Sequence, residues 1–186
     1  MTTFSRTLVA MDLSVMDPKL LQWVGTLDSK LGFQKVYFLH VMPDFSAPKN
    51  VDIEFHTLFS ADYPADEKAH DRIAEDIEKI LGKHPGLEFA IEVREGKPYQ
   101  KVVHLSEAKD IELLIIGRKK QSEGSGISAR RIARATKCNV MVIPENAAVK
   151  LQHIMVPIDF CDLSAKALRV ALDMAQKNPE IKITAL

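Results

Sequence analysis

The sequence has little of what secreted, membrane-spanning or nucleic-acid-binding proteins depend on. It contains only two cysteines, Cys138 and Cys161, which are too few for a disulfide framework. It has no apolar run of the ~20 residues that a membrane helix needs, and its polar start does not resemble a signal peptide. Its 25 basic and 25 acidic residues cancel, so no net charge attracts nucleic acid or an anionic membrane. These absences predict a soluble cytoplasmic protein with no membrane partner.

Motifs of hydrolases and metalloenzymes are also missing. The six histidines are scattered, and none of them forms HExxH or lies at zinc-binding distance in sequence from a cysteine, so we predict no metal. No serine lies in GxSxG, and no catalytic residue can be identified. The sequence therefore favours a protein that is not an enzyme, with slow ATP hydrolysis as the alternative.

What is present is a regular alternation of short apolar runs with amphipathic segments. The first helix starts near Asp17-Pro18, which would supply an N-cap and a first-turn proline, and Gly32 stands where a C-cap is expected. The alternation predicts an α/β, Rossmann-like, doubly wound parallel sheet of five strands over residues 1–145. The predicted strands are Thr7–Asp12, Lys35–Val41, Leu87–Val93, Ile111–Gly117 and Asn139–Pro144.

The segment Met42–Pro64 shows neither the helical nor the strand periodicity of apolar residues, and it is long for a connection. It holds three prolines and four aromatic residues. We predict a surface loop whose aromatic side chains pack back on the domain, with a lid or a subunit contact as the alternative.

The pattern starts again after a linker, residues 146–152. Residues 153–186 align without a gap on the first strand-helix-strand unit at a constant offset of 147, which matches Val9 with Val156 and Asp12 with Asp159. We predict that they begin a second, incomplete domain of the same kind, in a fragment of a longer protein. Because a lone βαβ unit leaves apolar faces uncovered, it should be ordered only by packing on the first domain, a partner chain or a missing remainder.

The candidate site lies at the carboxyl ends of the strands, where ligands of open α/β sheets bind if the strand order reverses there. In the order 3-2-1-4-5 the reversal falls between strands 1 and 4, so Asp12 faces the loop after Gly117. Asp12 only accepts hydrogen bonds, which suits a ribose hydroxyl or an exocyclic amine. The glycines and serines of that loop, at a helix N-terminus and beside Lys119, suit a phosphate. The candidate ligand-binding residues are Met11, Asp12, Val41, Ile116, Gly117, Lys120, Gly124, Ser125, Gly126 and Ser128.

Each of these features also has a purely structural interpretation. Asp12 can cap the loop or the first helix, and Ser128 can be the N-cap of the helix that follows. The loop matches neither the Walker A pattern nor GxGxxG. Residues 118–137 carry seven Lys and Arg residues, which more often form a solvated helix face than a nucleic-acid contact.

Several stretches resemble the universal stress protein family. They are the strand-1 "VAMD", the "REGKPYQKVV" before the third helix, the "LLIIG" with its glycine-serine loop, and the ending "CNVMVIP". The later "HIMVPIDFCDLSAKAL" resembles the start of a second such domain. The resemblance implies the sheet order 3-2-1-4-5, pairing through strand 5 in a homodimer or an intramolecular domain pair, and, in one branch, ATP binding.

The family therefore implies a stress-response or regulatory function, with ATP or another adenine nucleotide at the crevice between strands 1 and 4. A dimeric scaffold without nucleotide and a slow ATPase are the alternatives. The ATP-binding branch has G-x2-G-x9-G-[S/T] after strand 4. Gly117 and Gly126 match its first and third glycines, but Lys120 replaces the second, Ile127 replaces the hydroxyl residue, and the loop is four residues shorter. Leu13 also replaces the glycine that commonly follows the strand-1 acid.

Overall fold

A computed structural model of the chain describes residues 4–43, 65–82, 84, 86–119 and 129–186. The aromatic segment 44–64 lies outside the described residues. The same holds for five of the candidate ligand-binding residues, which are Lys120, Gly124, Ser125, Gly126 and Ser128.

The first part of the chain forms a five-stranded parallel sheet in the order β3-β2-β1-β4-β5. The predicted fold class and strand order are confirmed. Among the described residues, no helix is both long enough and apolar enough to cross a membrane. The elements are β1 (Arg6–Met11), α1 (Asp17–Leu31), β2 (Lys35–Met42), α2 (Ala65–Ile80), β3 (Glu88–Glu95), α3 (Pro98–Ala108), β4 (Leu113–Arg118), α4 (Ala129–Ala135) and β5 (Asn139–Pro144).

Two apolar clusters cover the two faces of this sheet, because successive side chains of a strand point to opposite faces. In β1, Val9 joins the cluster under α1 and α2, while Leu8 joins the cluster under α3 and α4. Phe38 and Leu39 divide in the same way in β2. All four side chains are at most 1% exposed. Burial on both faces explains why the central strands read as continuous apolar runs.

The end of α1 follows the sequence prediction, but its start does not. Gly32 has the left-handed φ of 71° that a helix C-cap favours, and its N–H donates to the Asp28 carbonyl. The prediction that Asp17 is the N-cap is wrong. Met16 occupies that position without a side-chain cap, and the Asp17 carboxylate bonds to other backbone groups.

A βαβ unit follows, formed by β6 (His153–Val156), α5 (Asp162–Lys177) and β7 (Lys182–Ala185). Its strands pair in parallel as a separate two-stranded sheet. The register of this pair repeats that of β1 and β2 at the offset of 147, since Arg6 faces Lys35 and His153 faces Lys182.

The backbone after the first strand of each unit also repeats. Leu13 has a φ of 56°, and Phe160, which is 147 residues later, has a φ of 62°. A left-handed conformation is unfavourable for any residue with a Cβ. The two units therefore share a costly local geometry as well as a sequence pattern.

The βαβ unit packs on the five-stranded unit through α5 and the residues after it. Met174 and Ile181 are buried and belong to the apolar cluster under α1. The opposite face of its sheet is open: Met155 is 60% exposed, although its equivalent in β1, Leu8, is fully buried. The difference arises because α3 and α4 cover this face of the five-stranded sheet, and no described helix covers the corresponding face of the two-stranded sheet.

We expect Phe160→Gly to stabilise the βαβ unit by roughly 0.5–1 kcal/mol. Phe160 is 97% exposed, so the change loses almost no packing and relieves the left-handed strain, less the entropy cost of glycine. Leu13→Gly is the matched control, because Leu13 packs against the core and its removal should cancel the gain. The stability of both variants is measured by thermal unfolding, and that of the βαβ unit by hydrogen exchange at β6 and β7. Weaker protection in Phe160→Gly would contradict the account.

Candidate functional site

The sheet brings Asp12 and Lys119 together at the junction of β1 and β4. Ala10 lies opposite Ile116 in the ladder, so both strands end at the same level. Beyond these ends, the Lys119 Nζ lies 2.7 Å from the Asp12 Oδ2. The Asp12 side chain is 56% exposed and that of Lys119 is 38% exposed, so a ligand can reach both.

The Asp12 carboxylate is held in its charged form. Partial burial acts to raise its pKa, but the hydrogen bonds from Lys119 and Ser14 outweigh that effect, so the pKa lies below its ordinary value. The Asp12 carboxylate is therefore an acceptor at neutral pH. The equivalent acid of the second unit, Asp159, is stabilised differently, since hydrogen bonds from Cys161 and Ser164 lower its pKa to about 2.

Asp17 organises the turn that carries Asp12. Its carboxylate accepts hydrogen bonds from the backbone N–H groups of Leu13 at 2.8 Å and of Asp12 at 3.3 Å. The residue is only 2% exposed, and its burial is the main reason that its pKa rises to about 6. The buried carboxylate therefore stabilises the backbone of the turn that carries Asp12.

The other described candidates line the same edge of the sheet with different degrees of access. Met11 and Ile116 are each 4% exposed, so their side chains belong to the core. Val41 is half-buried, and the Nδ1 of His40 donates to the Met11 carbonyl at 3.1 Å. These contacts fix the ends of β1 and β2 against each other.

Gly117 has a packing reason to be glycine. A Cβ at this position would lie 3.0 Å from the Met16 Cε and 3.7 Å from the Leu20 Cδ1. The backbone of β4 therefore approaches α1 closely here. This contact accounts for the residue without a ligand, although it leaves the outer side of Gly117 exposed.

Sequence reasoning missed the role of Asp17, which it assigned to the helix cap. The signal was Leu13 itself, which occupies a position where glycine is common and adopts a left-handed conformation. The acid four residues later, Asp17, is close enough in sequence to accept a hydrogen bond from the backbone of such a turn. The pairing of Lys119 with Asp12 was missed as well, since the loop was considered only for phosphate.

The described residues show no metal site, and one cation of α4 has an intramolecular partner. Within the part of the chain that the structure describes, no three His, Cys, Asp or Glu side chains are grouped so that they could hold a metal ion. The Arg131 guanidinium lies over the Tyr99 ring at 4.2 Å, which gives one of the α4 cations an intramolecular partner.

The fold is that of one family. The universal stress protein family model matches residues 3–144, which is most of the chain, so the chain belongs to the universal stress protein family. A comparison with curated protein sequences gave no significant match.

Solved structures of universal stress proteins share the fold at low sequence identity. One from Archaeoglobus fulgidus DSM 4304 is 17% identical with a TM-score of 0.73; the match covers 98% of this chain but only 65% of that one. UspA from Lactobacillus plantarum is 17% identical with a TM-score of 0.60, covering 77% of this chain and 99% of its own. An Archaeoglobus fulgidus protein in complex with dAMP is also 17% identical, with a TM-score of 0.50 and coverage of 76% and 99%.

We expect Asp17→Asn to change the pH dependence of folding. A carboxyl whose pKa is raised from 3.8 to about 6 binds a proton more readily in the folded state, so it favours folding at low pH and opposes it as the pH rises through that interval. The free energy involved is on the order of 2–3 kcal/mol. The stability of the variant relative to the original chain should therefore increase by about that amount between pH 4 and 7.

Urea unfolding at several pH values tests this expectation. Asp66→Asn, which removes an exposed carboxylate in the first turn of α2, controls for the change in net charge. The expectation is contradicted if the difference in unfolding free energy between Asp17→Asn and the original chain is the same at every pH. The ionised Asp17 carboxylate would then not destabilise the folded state by the stated amount.

Proposed function

We propose that the protein is a regulatory, stress-response protein that binds an adenine nucleotide in the crevice between β1 and β4. The observation that carries the proposal is the contact of Asp12 with Lys119 at 2.7 Å, where the strand order reverses. An acceptor and a cation, both accessible, stand at the position where α/β sheets bind nucleotides.

The chemistry of the pair suits the two ends of a nucleotide. Asp12 can accept from ribose hydroxyls or an exocyclic amine, and Lys119 can neutralise a phosphate. Binding would exchange their mutual contact for contacts with the ligand. Membership of the family and the dAMP complex of a structural relative support this assignment.

A regulatory rather than catalytic role is supported by how the acids are engaged. The Asp12 carboxylate is paired with Lys119, and the Asp17 carboxylate is occupied by two backbone N–H groups. Neither is positioned as a free base that could activate water. We therefore propose that the bound nucleotide alters the conformation or the partners of the protein.

We also propose that residues 1–145 form one domain, that 146–152 link it to the next, and that 153–186 begin a second domain of the same kind. The repeated strand register and the repeated left-handed residues, Leu13 and Phe160, support this division. The chain spans 65% of the Archaeoglobus fulgidus protein that matches it almost throughout. Pairing through strand 5 stays a prediction.

We expect isothermal titration calorimetry to detect ATP, ADP or AMP binding, and Lys119→Ala to weaken it about 10–100-fold. That range corresponds to the loss of one charge-assisted hydrogen bond, about 1.5–3 kcal/mol. The loss should be larger for ATP than for adenosine, because Lys119 faces the phosphates. Asp12→Ala should weaken adenosine and ATP alike, because it removes the acceptor for the nucleoside.

Lys137→Ala is the matched control. Lys137 precedes the amino end of β5, at the opposite edge of the sheet, and its side chain is 88% exposed beside Glu107. Its replacement removes the same charge and should leave the affinity unchanged. No heat with any of these ligands at millimolar concentration in a folded sample would contradict nucleotide binding. Equal losses in Lys119→Ala and Lys137→Ala would show that binding depends only on net charge.

A further inference from the structure

Two hydrogen bonds join α1 to the end of α5. The first unit supplies the donor of one bond and the acceptor of the other, and the second unit supplies their partners. The Lys30 Nζ donates to the Asn178 Oδ1 at 2.8 Å, and the Lys177 Nζ donates to the Leu31 carbonyl at 3.2 Å. At the offset of 147, Lys177 is the equivalent of Lys30 and Asn178 is the equivalent of Leu31. Residue i of one unit thus contacts residue j of the other, and the reverse, which is the signature of an interface with two-fold symmetry.

The apolar part of the contact shows the same equivalence. Leu27 of α1 and Met174 of α5 are equivalent positions, 0% and 7% exposed, and both belong to one apolar cluster. Val24 and Ala171, one turn earlier, are also equivalent and buried. Leu27 and Met174 thus place equivalent positions of the two helices in one apolar cluster.

An interface of this kind is self-complementary, so either helix can meet a second copy of itself. The acceptor of Lys177 is a backbone carbonyl, which every copy of the chain has at Leu31. Lys30 of another copy holds the same helix position as Lys177, and its Leu27 replaces Met174 with a side chain of similar size and polarity.

We propose that the C-terminal half of α1 is a docking surface for α1 of a second copy of this chain, and that α5 occupies this surface in the same chain. A contact tethered by a short linker has an effective concentration in the millimolar range. At micromolar protein the intramolecular contact therefore prevails, and α1 forms no contact between chains. Release of α5 exposes the surface and allows a symmetric α1–α1 dimer.

The test releases α5 without changing α1. The double variant Met174→Asp and Lys177→Glu places charges in the contact on the α5 side only. We expect sedimentation velocity to show self-association of this variant beyond that of the original chain at concentrations up to ~1 mM. Hydrogen exchange should show lost protection in residues 153–186 and retained protection in β1 and β4. An amine-reactive cross-linker, applied to mixed isotope-labelled and unlabelled copies, should join Lys30 to Lys30 between chains.

Two further variants make the outcome specific. Lys30→Glu, added to the double variant, should abolish the dimer, because it removes the donor from both copies. Lys166→Glu with Leu172→Asp introduces the same acidic side chains at exposed positions of α5 and should leave the association state of the original chain unchanged. If the double variant does not fold, Lys177→Glu alone should favour the dimer, and Lys30→Glu alone should not.

Three results would overturn the proposal. A folded monomer with α5 released would show that α1 does not bind itself. Retained protection of residues 153–186 would show that these contacts do not hold the unit in place. A dimer that persists with Lys30→Glu and lacks the Lys30 cross-link would place the interface elsewhere, as pairing through the edge of β5 would.

Discussion

The contact between the ends of β1 and β4 is the constraint on which the rest of the molecule depends. A parallel sheet buried on both faces fixes the level at which each strand ends, and the reversal of strand order leaves a gap between helices at that level. Asp12 and Lys119 meet in this gap at 2.7 Å. The same arrangement sets α1 over β4 so closely that Gly117 has no room for a side chain without movement of Met16.

The turn that carries Asp12 is held at a cost in stability. Leu13 adopts a left-handed conformation, and a buried carboxylate, that of Asp17, satisfies the backbone N–H groups of the turn. A neutral side chain would avoid the desolvation that raises the pKa of Asp17 to about 6. The second unit has Ser164 at this position, and its hydroxyl donates to the Cys161 carbonyl. The same left-handed turn, at Phe160, therefore forms there with a serine in place of the buried carboxylate.

The sequence allowed prediction of those features that recur along the chain. Apolar runs located the strands, Gly32 located a helix end, and the offset of 147 anticipated the register of β6 with β7. Two features that depend on particular side-chain contacts were not predicted. The Asp17 carboxylate accepts a hydrogen bond from the Leu13 N–H instead of capping α1. The hydrogen bonds of Lys30 and Lys177 join residues that are far apart in the sequence. Neither follows from local propensity, because each depends on tertiary packing.

The central claim is that a nucleotide binds between the ends of β1 and β4. The most direct measurement is the amide chemical-shift map of the isotope-labelled protein during titration with ATP. The account predicts saturable shifts that are largest at Asp12, Leu13 and Lys119, where the ligand would replace the contact between the carboxylate and the ammonium. Shifts confined to the opposite edge of the sheet, around Lys137, or no shifts at millimolar ATP, would contradict it.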